Sequence, residues 1–274
     1  MQWGWLELIL GGLVFGWLLQ SAMWLIQWRR RDAGTVDVGW TAGVGLLGMV
    51  YALQAGGWAP RRYLAAALIG AWALRLAAYI VKDRIWGHTE EDGRYQTLRA
   101  HWGASANRNF YFFFTAQMVL IVLFALPVLP GAARLAAGWG AREALALLIW
   151  LLAVGGEALA DRQLARWRRD PAHRGLTCRQ GLWRYSRHPN YFCEWLHWWA
   201  YVALGWGAPH QWLAWLGPVL MLVFLYRLSG IPYTEKQALA SRGADYRRYQ
   251  QTTSAFFPWF PRKEESPACK KSST

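Results

Sequence analysis

Long apolar stretches separated by short polar segments fill most of the chain. Seven of these stretches come close to or reach the roughly 17–25 residues that an apolar helix needs to cross ~30 Å of hydrocarbon. A soluble protein can bury one such helix but not seven, so the pattern predicts an all-α integral membrane protein, a seven-helix bundle. The predicted spans cover residues 5–27, 37–53, 63–81, 110–129, 143–160, 191–206 and 212–228.

The positions of the basic residues orient this predicted bundle. Most of the 30 Lys and Arg residues follow the first, third, fifth and seventh spans. Because cytoplasmic loops carry the excess of Lys and Arg, the N-terminus is predicted to lie outside and the C-terminus in the cytoplasm. The net charge of +14 then reflects topology, and nucleic acid is not an expected partner. The Ala-, Arg- and Trp-rich composition suits a bacterial inner membrane.

No metal site is predicted. The cysteines are isolated and form no CxxC pair, which argues against a disulfide framework or a cysteine metal site: Cys178, Cys193 and Cys269. An acidic cluster with one histidine follows the third span: His88, Glu90, Glu91 and Asp92. We interpret this cluster as a solvated loop whose acids pair with neighbouring arginines, rather than as a metal site.

The stretch GLWRYSRHPNYFCEWLHWWAY, residues 181–201, combines an apolar helix with a line of polar side chains. Pro189 fits the first turn of a helix, where its missing N–H costs nothing. Helical spacing then puts four polar residues on one face: Asn190, Glu194, His197 and Tyr201. A carboxylate and an imidazole inside so apolar a helix are costly unless they line a polar cavity. The stretch therefore predicts a pocket within the membrane.

An arginine-rich loop, residues 162–187, precedes this helix. It brings cations to the N-terminal end of the helix, where a phosphate group binds well: Arg179, Arg184, Arg187 and His188. Topology needs far fewer arginines, so we favour an anionic ligand over a plain charge bias or contact with lipid headgroups. At the end of the fifth span, Glu157, Asp161 and Arg168 share a helix face that leads into the loop.

The second and third spans also carry polar residues. Asp37 opens the second span, close to Trp40, and either caps the helix or lines the pocket. Arg75 lies well inside the third span, so its guanidinium is expected to face protein or a cavity. Tyr79 follows Arg75 by one helical turn.

The segment after the seventh span predicts one further helix. Pro232 is expected to start it, Glu235 to lie on its face and Gly243 to break it. Tyr246 and Tyr249 then alternate with arginines, a combination that can clamp an adenine ring. The aromatic residues that follow are equally typical of an interfacial anchor: Phe256, Phe257, Trp259 and Phe260.

Three segments, WRYSRHPNYFCEW, SGIPYTEKQ and GADYRRYQQTTSAFFPWFP, resemble the C-terminal domain of the steroid 5α-reductase family, integral membrane NADPH-dependent reductases. More specifically, they resemble its bacterial branch, DUF1295. The segments DVGWTAG, LRLAAYIVKDRIWGHTEEDGRY and GGEALADRQ share this resemblance, which covers residues 37–261. Residues 1–36 would then form a first transmembrane helix and basic loop, and residues 262–274 a polar, disordered tail.

The resemblance implies a seven-helix bundle whose cytoplasmic half encloses NADPH. The motif and the resemblance together make these residues candidates for cofactor contact: Asp161, Arg168, Arg179, Trp183, Arg187, His188, Asn190, Tyr191, Glu194, Glu235, Lys236, Tyr246 and Tyr249. The chain departs from the steroid enzymes at the substrate end. It lacks their Gln-Glu pair in the second helix, and Trp72 stands where a tyrosine is expected.

The leading hypothesis is a reductase that saturates a carbon–carbon double bond of a steroid-like or other lipid with hydride from NADPH. Candidate proton donors are Tyr79, Asp37 and Glu194, and candidate substrate contacts are Trp40, Trp72, Arg75 and His197. Two other classes stay open. One is a methyltransferase of lipid or prenyl-cysteine that uses S-adenosylmethionine, whose cofactor needs no arginine-rich loop; the other is a non-catalytic lipid-binding protein. A monomer is expected.

Overall fold

The computed structural model describes residues 4–86, 90–228 and 230–263, and within these ranges the chain is helical and contains no β-strand. The predicted all-α class is confirmed. The α-helices are α1 (Trp5–Arg30), α2 (Thr35–Gln54), α3 (Ala59–Ile80), α4 (Gly93–Trp102), α5 (Ala106–Ala125), α6 (Leu129–Ala132), α7 (Ala141–Arg169), α8 (Pro189–Gly205), α9 (Leu216–Val223) and α10 (Ile231–Thr252). The π-helical turns Val81–Ile85 and Phe224–Leu228 follow α3 and α9.

The described residues contain six helical segments that are long and apolar enough to cross a membrane. They are Leu6–Arg30, Thr35–Gln54, Ala59–Asp83, Gly93–Ala132, Ala141–Arg169 and Gln211–Thr252. The protein is therefore an integral, multi-pass membrane protein whose apolar helices contact lipid. The sixth predicted span falls on α8, which has only 17 residues and is not among the six.

Local sequence explains where several helices begin and end. Pro189 opens α8, and Pro232 lies in the first turn of α10, as predicted. The predicted break at Gly243 is also confirmed, because this residue interrupts α10 with a φ of 50°, which favours glycine. One alternative for Asp37 is wrong: Gly34 is the N-cap of α2, and Asp37 lies in the first turn.

The chain divides into two compact units, each described here on its own. The first consists of Met1–Leu147 and Trp198–Gly217, and the second of Leu148–His197 and Pro218–Thr274. The division separates the predicted substrate residues of α2 and α3 from the predicted cofactor residues, which all belong to the second unit.

Close helix packing and aromatic rings build the first unit. Gly45 of α2 lies so near Ala73 of α3 that any side chain at position 45 would collide with it. Trp72 is fully buried, and its ring meets those of Trp40 and Trp198 edge to face at 6.3 and 5.4 Å. The ring of Trp72 thus forms part of an aromatic core within this unit.

A buried ion pair in the first unit joins the start of α3 to the start of α7. Arg61 Nε donates to Glu143 Oε1 at 2.6 Å, and both side chains are almost completely buried. The same guanidinium donates to the carbonyls of Arg134 and Gly138. Since most of its donors are satisfied, the buried charge of Arg61 is compensated. No pattern in the sequence singled out this pair.

The second unit contains the arginine-rich loop and fixes it to α7. The indole N–H of Trp183 donates to the carbonyl of Ala160 at 2.9 Å, and the backbone N–H of Leu182 donates to Gln163 Oε1 at 2.9 Å. Gly181 adopts a left-handed φ of 58°, and an added Cβ would collide with Gln163. A glycine is therefore required where the loop turns back onto α7.

Candidate functional site

The structure joins two predicted cofactor residues at the start of α8. The side-chain amide of Asn190 donates to Asp161 Oδ1 of α7 at 3.3 Å, and the Asp161 side chain is buried. The Oδ1 atom of Asn190 accepts the backbone N–H of Tyr191 at 3.0 Å. These contacts fix the orientation of the Asn190 amide in the first turn of the helix, as a binding group requires.

The polar face predicted for α8 continues inward. Glu194 and His197 are both buried, and the ring Nδ1 of His197 lies 2.9 Å from the carbonyl oxygen of Glu194. Its distance to the Glu194 carboxylate is 3.9 Å. A carboxylate and an imidazole are therefore held together inside an apolar helix, an arrangement that is typical of functional positions in membrane proteins.

A single carboxylate organises the residues just before α8. Glu235 Oε1 accepts from Arg187 Nε at 2.7 Å and contacts His188 Nε2 at 3.3 Å and the Tyr246 hydroxyl at 3.4 Å, while Oε2 accepts from Gln250 at 2.8 Å. We call these five residues the Glu235 network. It joins the start of α8 to α10.

Most N–H donors of Arg187 are occupied, either by Glu235 or by nearby backbone carbonyls. Its Nη1 donates to the carbonyls of Gln250 and Thr253 at 3.0 and 2.7 Å, and its backbone N–H donates to Ser254 at 2.8 Å. The guanidinium therefore fixes the backbone that follows α10. Arg187, predicted to bind phosphate, has in this structure the contacts of a positioning residue.

His188 is buried beside Glu235, and its ring stacks on Tyr191 at a centroid distance of 5.3 Å. Burial lowers the pKa of His188 below its usual value of 6.5, although Glu235 opposes this shift. A lowered pKa favours the neutral ring, so His188 is a weaker candidate than the arginines for a cation that binds a phosphate group.

The two tyrosines predicted to clamp adenine are both buried in the second unit. The Tyr249 hydroxyl donates to the carbonyls of Trp183 and Ser186. The guanidinium of Arg242 lies 4.9 Å from the Tyr246 ring, and that of Arg179 lies 5.8 Å from the Tyr249 ring. Both rings therefore pack within the unit, and an adenine clamp would require them to be uncovered.

The remaining predicted cofactor residues lie on α7, the loop and α10. Arg168 and Lys236 are exposed, whereas Arg179 donates to Asp245 Oδ1 at 2.9 Å. The hydroxyl of Tyr191 lies 3.1 Å from that of Thr234. Of these residues, Arg168 and Lys236 retain the exposed positive charge that binding of an anion requires.

In the first unit, Asp37 accepts two hydrogen bonds from α4. Arg94 Nη2 donates to Asp37 Oδ2 at 2.8 Å, and the Tyr95 hydroxyl donates to Oδ1 at 2.9 Å. Arg94 also pairs with Asp92. Because both carboxylate oxygens of Asp37 accept hydrogen bonds, Tyr79 and Glu194 are the better candidates for the proton donor.

Arg75 and Tyr79 of α3 are adjacent, as their spacing predicts. The guanidinium carbon of Arg75 lies 5.5 Å from the centre of the Tyr79 ring, and both side chains are half-buried. Such a contact holds a cation and a phenol together on one helix face.

Two acids of the loop after the third predicted span, Glu91 and Asp92, pair with arginines as predicted. Glu91 binds Arg99 at 2.7 and 2.9 Å and accepts the backbone N–H of Ala33 at 2.7 Å. Asp92 binds Arg94. His88 lies outside the described residues. In the described part of the chain, no group of three His, Cys, Asp or Glu side chains is placed to hold a metal ion.

Sequence reasoning missed four residues that hold these sites together: Arg94, Tyr95, Asp245 and Gln250. Asp245 accepts the backbone N–H of Thr177 at 2.8 Å as well as Arg179. Asp245 lies two and three residues before Arg247 and Arg248, and this spacing indicates that it can pair with an arginine. The partners of Asp37 and Glu235 lie far away in sequence, so no local spacing indicates them.

Comparison with known proteins identifies the family. The model of a family described as "Protein of unknown function (DUF1295)" matches residues 23–253. The chain belongs to the DUF1295 family. It is also 25% identical over 277 residues to the "Uncharacterized protein C594.04c" of Schizosaccharomyces pombe, an alignment that covers 90% of this chain and 78% of the relative. No solved structure matches this DUF1295 protein.

Proposed function

We propose that this DUF1295 protein is an integral membrane reductase that uses NADPH to saturate a carbon–carbon double bond in a steroid-like or other lipid. The observation that supports this most directly is the hydrogen bond between Asn190 and Asp161. It brings together, from two helices, positions that the resemblance to steroid 5α-reductases assigns independently to the cofactor. We also propose that this protein is a member of the bacterial branch of the steroid 5α-reductase family.

The proposal includes seven spans, with α8 as the sixth. Its 17 residues extend about 25 Å at 1.5 Å per residue, close to the ~30 Å of a bilayer core. Seven spans and the distribution of Lys and Arg give an N-terminus outside and a cytoplasmic C-terminus. The arginine-rich loop then faces the cytoplasm, where NADPH is found, in a bacterial inner membrane.

The residues of the second unit suit the chemistry of NADPH. Its phosphates need guanidinium groups, and Arg168 is exposed at the end of α7. Its carboxamide needs a donor and an acceptor, and Asn190 and Glu194 lie one turn apart on α8. When bound, NADPH supplies a hydride from its nicotinamide ring. The contact with Asp161 holds Asn190 in one orientation, which reduces the entropy lost on binding.

A proton completes the reduction. We assign the role of proton donor to Tyr79, with Glu194 as the second candidate. The Arg75 guanidinium next to Tyr79 can stabilise negative charge that develops on the phenol oxygen. Asp37 keeps a place in the substrate region, as an acceptor for Arg94 and Tyr95.

Ligand-induced stabilisation of the detergent-solubilised protein tests the proposal, with NADPH, NADH and S-adenosylmethionine compared. A ligand that binds only the folded state raises its stability, by about 2.7 kcal/mol at a concentration of 100 times Kd. We expect NADPH to stabilise the protein. Stabilisation by S-adenosylmethionine alone would identify a methyltransferase, and stabilisation by none of the three would favour a non-catalytic protein.

Two variants test the assigned residues. Arg168→Ala removes an exposed cation and is expected to weaken NADPH binding at least about ten-fold, the loss typical of a charged hydrogen bond. Asn190→Ala is expected to weaken it similarly. Arg247→Ala, a change at an exposed arginine of α10, is the matched control. Equal NADPH affinity in all four proteins would refute the site.

A further inference from the structure

The second unit also contains a cavity of about 340 Å³ whose lining is basic. It is lined by Arg179, Arg184, Thr252, Thr253, Pro261 and Arg262. We call it the three-arginine cavity. Its lining includes three arginines, and guanidinium groups are donors that bind phosphate oxygens in proteins.

Backbone hydrogen bonds position the walls of this cavity. The N–H of Trp259 donates to the carbonyl of Tyr185 at 2.9 Å, and the N–H of Arg262 donates to the carbonyl of Thr252 at 2.8 Å. The non-helical segment 258–262 is therefore attached at both ends. As a result, Arg262 and Arg184, which belong to distant parts of the chain, line the same cavity.

Among the described residues that line the cavity, three are arginines and none is acidic. Arg179 pairs with Asp245 at 2.9 Å, and the same carboxylate lies 3.8 Å from Arg248. Within the residues that the structure describes, no carboxylate forms an ion pair with Arg184 or Arg262. An anionic ligand would therefore gain attraction from two guanidinium groups in addition to Arg179.

The segment that carries Arg262 also presents large aromatic side chains to the exterior. Phe257, Trp259 and Phe260 are 54%, 73% and 76% exposed, whereas Phe256 is buried and packs on Trp195. Exposed aromatic rings beside arginines are typical of the membrane interface, where the rings lie at headgroup level. This arrangement indicates a ligand that combines a phosphate group with acyl chains.

We propose that the three-arginine cavity binds the phosphate group of an anionic phospholipid, with Trp259 and Phe260 in contact with the adjoining lipid. An anionic headgroup such as that of phosphatidylglycerol fits the excess of cations. The choline of phosphatidylcholine carries a positive charge that the same arginines repel. This lipid site goes beyond the proposed reductase activity and does not depend on it. Arg179 is a candidate for both sites, so the test uses Arg184 and Arg262, which are not among the candidate cofactor residues.

The test compares lipid binding by native mass spectrometry of the detergent-solubilised full chain, with phosphatidylglycerol and phosphatidylcholine as probes. A basic residue near an anionic lipid surface contributes roughly a five-fold gain in affinity. The double variant R184Q R262Q is therefore expected to bind phosphatidylglycerol about 25-fold more weakly, without change for phosphatidylcholine. R247Q R248Q removes two arginines of the same unit that do not line the cavity, and is expected to retain the preference for phosphatidylglycerol.

Two further measurements identify the source of the phosphate. Inorganic phosphate is expected to displace phosphatidylglycerol poorly, and the double variant W259A F260A to lose lipid affinity. Displacement by inorganic phosphate at equal concentration would overturn the lipid assignment, as would equal lipid affinity of R184Q R262Q and the wild type.

A parallel measurement separates this inference from the proposed function. NADPH affinity of R184Q R262Q is expected to equal that of the wild type, whereas Arg168→Ala is expected to lower it. Loss of NADPH affinity in R184Q R262Q with lipid binding unchanged would assign the three-arginine cavity to the cofactor and overturn the inference. A protein that binds no NADPH but keeps the lipid preference would refute only the reductase.

Discussion

The Glu235 network and the three-arginine cavity both contain arginines of the arginine-rich loop, Arg187 in the network and Arg179 and Arg184 in the cavity, yet they use them differently. In the network, Glu235 meets Arg187, His188, Tyr246 and Gln250, and the Arg187 and Glu235 side chains are only 12% and 16% exposed. In the cavity, Arg184 and Arg262 are exposed. The first set contributes to stability, and the second remains accessible to a ligand.

This difference shows why arginine density alone is a poor guide to a binding site. A buried guanidinium without its carboxylate is strongly destabilising, so Arg187 is bound tightly to the fold. An exposed arginine contributes little to folding, and its position must be explained in another way. Substitutions in the two regions should therefore affect different quantities, stability in one and ligand affinity in the other.

The largest effect is expected for Glu235→Gln, which leaves Arg187 partly buried without a carboxylate. We expect the free energy of unfolding to fall by about 3 kcal/mol, measured by chemical unfolding in detergent. Arg184→Gln is the comparison within the same loop and is expected to change it by less than about 0.5 kcal/mol. Equal effects of the two variants would remove the distinction between network and cavity.

A smaller loss is expected for Tyr249→Phe. The variant leaves the carbonyls of Trp183 and Ser186 without their buried donor, which costs about 1–2 kcal/mol. Tyr63, whose side chain is exposed, provides the control Tyr63→Phe. The measurement is chemical unfolding in detergent, and equal unfolding free energies of Tyr249→Phe and the wild type would show that the hydroxyl makes no net contribution to stability.

The pH dependence of stability should report on His188. Burial lowers its pKa in the folded protein, and the positive charges of Arg187 and Arg242 lower it further. Glu235 opposes this shift. As the pH falls through about 6.5, the unfolded chain binds a proton at this position before the folded protein does. The free energy of unfolding therefore decreases below that pH.

Unfolding curves recorded between neutral and mildly acidic pH test this expectation. His188→Gln removes the titrating group and is expected to reduce the pH dependence, whereas His101→Gln, at an exposed position, should leave it intact. An identical pH dependence in wild type and His188→Gln would show that the network is insensitive to protonation of this ring.

Local rules predicted much of the helical framework. Pro189, Pro232 and Gly243 begin or break helices where propensity indicates, because these effects involve only neighbouring backbone atoms. The contact of Arg75 with Tyr79 also follows from helical periodicity. Such predictions succeed because the interacting groups are at most one turn apart.

Pairings between distant residues could not be read in the same way. Glu235 lies 48 residues from Arg187, and Asp37 lies 57 residues from Arg94. Nor does composition distinguish Phe256, which is buried, from Phe257, which is exposed. Both outcomes depend on how helices pack in three dimensions, and an arginine that binds a ligand has the same sequence signature as one that binds a carboxylate.

The buried pair of Arg61 and Glu143 has a consequence for the biosynthesis of the first unit. Glu143 follows Arg61 by 82 residues, so the ribosome completes α3 and α5 before the carboxylate exists. During that interval Arg61 has to remain in water or in the headgroup region, because a lone guanidinium is costly in an apolar interior. The pair closes only when the start of α7 leaves the insertion machinery. A nascent chain stalled before Glu143 therefore retains a guanidinium without the carboxylate that compensates its charge in the folded protein.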